Sequence, residues 1–121
     1  MTMQYDHNYD MANMPLSIVA CSDGENGLLR SGYTTFASLP TFPNIAAMAG
    51  IRFNSDQCGT CWQLSTTDDS GNTHSVVVTA IDTSNAGFTV SESTFVELLG
   101  ATDMGMGRVS ATALDASACG L

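Results

Sequence analysis

Four cysteines, Cys21, Cys58, Cys61 and Cys119, are spread through a chain of 121 residues. An even set at wide spacing in so short a chain is the pattern of an oxidised, exported domain held by disulfides. Four cysteines allow three pairings. The segment Cys58-Gly59-Thr60-Cys61 has the spacing of a local redox bridge, but it leads into Trp62-Gln63-Leu64-Ser65, which reads as a strand. In an extended segment, residues three apart point to opposite faces, so Cys58 and Cys61 are expected to seek different, distant partners. We expect Cys21 with Cys58 and Cys61 with Cys119. Each bridge closes a long loop, worth about 3 to 5 kcal/mol in the chain-entropy model. A structural zinc site expects two short cysteine spacings, and the sequence has one, so no metal is expected.

The rest of the composition narrows the function. A chain of 121 residues fits one domain, here taken as 1–121. Hydrophobic residues make up 44% and charged residues 12%, with polarity supplied by Ser, Thr, Asn and Gly. Arg30, Arg52 and Arg108 are the only strong bases against twelve carboxylates, and the net charge of −9 repels phosphate backbones and anionic membranes. Nucleic acid is therefore excluded as a partner. The absence of lysine removes Schiff-base chemistry and the P-loop cation. No apolar run approaches the ~20 residues that a membrane-spanning helix needs, so no membrane insertion is expected. The N-terminus lacks the apolar core of a secretion signal; the expectation is that any leader has been removed, and Met1, Thr2 and Met3 are set aside from the fold.

Along the chain, Leu16 to Cys21 is short, apolar and partly alternating and is read as a strand ending at Ser22-Asp23-Gly24. After Leu39-Pro40-Thr41-Phe42-Pro43, Asn44 is placed to cap a short helix through Ile45-Ala46-Ala47-Met48. Cys61 to Thr66 and His74 to Ile81 flank a polar tip and read as a hairpin, with Val76-Val77-Val78 as the clearest strand signal. Ser91 is placed to cap a helix through Glu92, Phe95 and Leu98, with Gly100 as its stop. Val109 to Leu114 is a further strand. Short strands at regular spacing with one or two small helices predict a mainly β domain closed into a barrel.

Taken in order, Cys21-Ser22-Asp23-Gly24 with Gly27-Leu28, Phe42-Pro43-Asn44-Ile45, Cys58-Gly59-Thr60-Cys61-Trp62, Ala80-Ile81-Asp82, Ala86-Gly87-Phe88, Gly107-Arg108-Val109 and Cys119 resemble the cerato-platanin family over nearly the whole chain. The resemblance implies a double-ψ β-barrel similar to the first domain of expansins, with the disulfide pairing expected above. It further implies a fungal protein of the extracellular space or cell wall that binds chitin-type N-acetylglucosamine oligomers and loosens polysaccharide without hydrolysing it. Perception by plants as a defence elicitor, through a receptor, and collection at air–water interfaces by an otherwise monomeric protein are also implied.

A sugar reader needs carboxylates, amides and hydroxyls beside aromatic faces. Asp82 ends an apolar strand, and in the family the matching aspartate resembles the surviving general acid of expansins; the alternative is a turn residue in Asp82-Thr83-Ser84-Asn85. The family often carries Asn after Gly-Phe, where this chain has Thr89, so a hydroxyl replaces an amide. Ser84 and Tyr33 complete the expected carbohydrate-binding set, with burial of Tyr33 in the barrel as the alternative reading. Trp62 is assigned to packing, and Tyr5-Asp6 and Tyr9-Asp10 to docking of the N-terminal segment. Hydrolysis is not expected, because glycosidases use two carboxyl groups and no second residue matches the position of their base. Neither His7 nor His74 has triad partners in the sequence, and no cofactor is expected. A competing reading is an interfacial protein whose soft patch is built from Met11, Met14, Met104 and Met106.

Overall fold

In the computed structural model, which describes residues 1–102 and 105–121, the expected hairpin organises the sheet. β3 (Cys61–Thr67) and β4 (Thr73–Ser84) pair antiparallel. The β-branched run of β4 suits a pleated surface, and alternation buries Leu64, Val76 and Val78 on one face. The hairpin tip closes on Asp68, whose Oδ1 accepts from the amides of Ser70 and Asn72, while Oδ2 lies 2.9 Å from Nε2 of His74.

That contact gives the tip a pH response. The hydrogen bond from His74, helped by the Asn72 amide, holds the exposed Asp68 carboxyl below its ordinary value of 3.8. A carboxyl lowered in the folded state stabilises the fold above the ordinary value, and the contribution is lost as pH falls through the lowered one. In an NMR titration of the side-chain carboxyl, His74→Ala is expected to move the Asp68 midpoint up toward 3.8. Identical curves for the two proteins would remove the histidine from this account.

β2 (Ile45–Ala49) runs parallel to β4 and antiparallel to β5 (Phe88–Val90), and β1 (Thr2–Tyr5) runs parallel to β5. β6 (Met106–Arg108) pairs with β1 and β7 (Ser110–Leu114) with β3, giving the order β6-β1-β5-β2-β4-β3-β7. The two outermost strands are separated only by Val109, so a single bent segment supplies both and closes the sheet on itself. The bend is fixed by the buried Val109, whose backbone exchanges two hydrogen bonds with Met1. α1 (Glu92–Leu99) begins where predicted, with Ser91 Oγ accepting from the Thr94 amide, and stops at Gly100 at φ +82°. The Asp10 carboxylate also accepts from the amides of Glu92 and Ser93, tying the N-terminal region to the helix start.

Both disulfides join the expected partners, Cys21 with Cys58 and Cys61 with Cys119. The core is filled by Phe36, Phe88, Phe95, Met3, Leu16, Ile45, Leu64 and Ile81.

Three local expectations are corrected. Residues 45–48 form β2 rather than a helix, because this segment lies between β4 and β5 and is buried on both faces, which overrides the helix preference of alanine. The strand expected over Leu16 to Cys21 is instead a 3-10 turn at Leu16–Ile18 that buries Leu16, Val19 and Cys21 and leaves Ile18 exposed. Finally, Met1, Thr2 and Met3 belong to the fold: Thr2–Tyr5 is an inner strand and Met3 is fully buried. Gly87, at φ +56°, lets β1 approach, since a Cβ there would collide with the Thr2 carbonyl.

Candidate functional site

The pairing of β2 with β4 slips by one residue: Ala46 faces Ala80, but Ala47 faces Asp82, so Ile81 is the extra residue of a bulge. Bulges re-aim side chains. Ile81 stays in the core while its carbonyl accepts from the Cys21 amide, and Asp82 turns to the opposite face. There its Oδ1 accepts from the amides of Ala20 (2.9 Å) and Thr83 (2.8 Å), and its Oδ2 accepts from the Tyr9 hydroxyl (3.0 Å). Burial, reinforced by the adjacent Asp82 carboxylate, pushes the Tyr9 phenol far above its usual value, so the phenol keeps its hydrogen. Each of these neighbours is a donor. Asp82 is therefore set as an acceptor, with lone-pair capacity left on Oδ2.

From Asp82 the strand register runs through Ala47 of β2 and Thr89 of β5 to Gln4 of β1, which places all four on one face. Ser84, two residues after Asp82, shares that face. Gln4 Nε2 donates to Thr89 Oγ1 (3.1 Å), Thr89 Oγ1 and Ser84 Oγ lie 2.9 Å apart, and Ser84 Oγ donates to the Ala86 carbonyl (3.1 Å). The protons then have one consistent direction, from Gln4 to Thr89 to Ser84 to Ala86. The Gln4 side-chain oxygen has no protein partner among the described residues and remains an open acceptor.

The structure thus brings together Asp82, Thr89 and Ser84, and adds Gln4 and Tyr9. Tyr33 does not join them by any hydrogen bond among the described residues; it is half-buried and lines a separate depression of about 220 Å3 beside Cys58 and Leu121. Gln4 is absent from the expected set: only Met1, Thr2 and Met3 are set aside from the fold, but Gln4 reaches this face solely through the pairing of β1 with β5. Tyr9, assigned with Asp10 to docking of the N-terminal segment, also holds the Asp82 carboxylate through its hydroxyl.

The remaining candidates sit elsewhere. Trp62 packs against the core with its ring edge-on to Phe88 at 6.1 Å, and its Nε1 donates to Thr60 Oγ1. His7 pairs with Glu92 at 2.6 Å and His74 with Asp68, so neither histidine contacts Asp82. Among the described residues, no group of three His, Cys, Asp or Glu side chains is placed to hold a metal ion. No described helix is long and apolar enough to cross a membrane.

The family model described as Cerato-platanin matches residues 1–121. The chain belongs to the cerato-platanin family. Cerato-platanin of Ceratocystis fimbriata f. sp. platani is 34% identical over 120 residues, covering 98% of this chain and 85% of that protein. The heat-stable 19 kDa antigen of Coccidioides posadasii is 34% identical over 122 residues, covering 98% of this chain and 80% of the antigen. Among solved structures, cerato-platanin 2 from M. perniciosa superposes with a TM-score of 0.94 at 38% identity, covering 99% of this chain and 98% of that one. The solution structure of the fungal elicitor Cerato-Platanin gives 0.84 at 33% identity, covering 98% and 96%. These relatives of a mainly β, doubly disulfide-bonded cerato-platanin are fungal proteins with elicitor and antigen names.

Proposed function

We propose that this cerato-platanin is a secreted, non-catalytic binder of neutral cell-wall oligosaccharide of the chitin type, acting by expansin-like loosening and perceived by plants through a receptor as an elicitor. The observation that carries the reading is the directed hydrogen-bond chain Gln4–Thr89–Ser84 in register with the anchored carboxylate of Asp82. A row of fixed acceptors and hydroxyls suits a sugar's hydroxyls, which both give and take hydrogen bonds. The oxygens of Asp82 are occupied by three donors, an arrangement that favours receiving a hydroxyl over protonating a leaving group. The closed sheet with its two parallel pairs, β1 with β5 and β2 with β4, supports the double-ψ arrangement. The disulfides support export.

Titration with N-acetylglucosamine oligomers, followed by NMR, is expected to shift the amides of Gln4, Asp82, Ser84 and Thr89. Thr89→Ala should weaken the affinity by about fivefold, the worth of about one hydrogen bond. An unchanged spectrum at millimolar sugar defeats the binding reading, and release of reducing sugar from chitin defeats the non-catalytic one.

A second reading, an interfacial protein, draws on side chains that remain half exposed or more: Met1, Met11, Ile18, Phe53 and Met106. Of the expected methionine patch, Met14 packs against the core and Met104 lies outside the described residues. If the patch acts at interfaces, Met11→Ser with Met106→Ser slows the fall of surface tension; an unchanged time course removes it.

A further inference from the structure

A cavity of about 640 Å3 is lined by the tip of the β3–β4 hairpin, the end of α1 and the start of β6. Its walls are chemically divided. Leu98 and Leu99 at the end of α1, with the half-exposed Met106 of β6, form an apolar floor. Gly107 belongs to that floor by omission, since a Cβ there would collide with Leu99 Cδ1. The polar part of the lining is Asp68 and Asp69 from the hairpin tip and Glu97 of α1.

Among the described residues, the ionisable groups lining the cavity are these three carboxylates and His74, and none of the three arginines. His74 already pairs with Asp68. Asp69 and Glu97 have no hydrogen-bond or ion-pair partner among the described residues, so the lining keeps two uncompensated negative charges beside an apolar surface. The volume falls within the range of about 300 to 1,000 Å3 in which small-molecule sites are found. The geometry points to a binding site for a small amphipathic amine, its apolar chain against the Leu99 and Met106 side of the cavity and its ammonium drawn to the carboxylates of Asp69 and Glu97. A neutral glycan gains nothing from those two charges, and an anion is repelled. None of the cavity residues belongs to the Asp82 face, so this proposal stands or falls separately from sugar binding.

Three probes with the same tail separate the contributions: octylammonium, octyl glucoside and octanoate, each kept below its micellar concentration, in NMR titrations of the intact protein. Octylammonium is expected to shift the amides of Leu98, Leu99 and His74 saturably and to bind at least about fivefold more tightly than either of the others, as one ammonium–carboxylate contact near the surface allows. Raising the salt concentration should narrow that difference. The double variant D69N/E97Q, whose replaced side chains make no hydrogen bond or ion pair among the described residues, should abolish the preference for the amine while leaving the weak binding of octyl glucoside unchanged. Equal affinities for all three probes, no saturable shift at the floor residues, or a preference that survives D69N/E97Q would each overturn the assignment. Methylammonium, which has no tail, should fail to shift Leu98 and Leu99; if it shifts them as strongly as octylammonium, the apolar floor has no part in binding.

Discussion

Replacing Cys61 and Cys119 together by alanine is expected to lower the unfolding free energy by about 4 kcal/mol, the chain-entropy value for a crosslink spanning 58 residues. A domain of this size has about 5 to 15 kcal/mol in total, so the loss consumes much of its margin. The Cys21–Cys58 bridge spans 37 residues, and the same model gives it nearly the same worth. The two sites differ in the native state. Cys119 is buried and ends the 3-10 turn Ala116–Cys119, whereas Cys58 is half-buried in a loop. Removing Cys61 and Cys119 also frees the C-terminal turn from β3 and β4, so this double variant should be the weaker of the two. Urea unfolding of both variants beside the parent protein measures the difference, and coincident midpoints for all three would contradict the crosslink argument.

Phe88→Ala is expected to cost about 3 to 5 kcal/mol, the range for deleting a buried aromatic ring. Phe88 is fully buried at the start of a three-residue strand, opposite Met3 of β1 and Met48 of β2, and its ring meets Trp62. The cavity would open where β5 joins two neighbours, so the loss should also disturb Trp62 and show in its fluorescence. Thr89→Ala, one residue further on the outward face, removes two part-buried hydrogen bonds but no core volume and should cost about 1 to 2 kcal/mol. Thermal unfolding of the pair tests the alternation of β5 directly: equal losses would mean that the inner and outer faces are misassigned.

These two experiments rest on features that differed in how visible they were beforehand. The hairpin is readable because valines flank a polar tip, whereas the strand signal at Trp62 argues only against a Cys58–Cys61 bridge: Cys58 lies in a loop before β3, and the choice between the two remaining pairings rests on the family frame. Ile45 to Met48 was not readable. A run of small apolar residues fits a buried strand and a short helix equally well, and only its neighbours β4 and β5 decide. The same holds for β1, whose partner β5 lies more than eighty residues away and leaves no local trace. At the candidate site, Asp82, Ser84 and Thr89 could be named from the family frame and from turn chemistry. Gln4 and Tyr9 could not, because each reaches the site through a pairing or a side-chain contact between distant segments.

The bent segment through Val109 has an effect on how copies of this protein can meet. A strand at the rim of an open sheet offers a row of unpaired amides and carbonyls that recruits further strands and seeds fibrils. Here β6 and β7 are the two halves of one continuous stretch of chain, each bonded to a single partner, β1 and β3, and the bend at Val109 breaks their free edges into lengths of three and five residues. A strand arriving from another copy therefore meets short, bent edges instead of one long flat one, which makes this rim a poor template for growth.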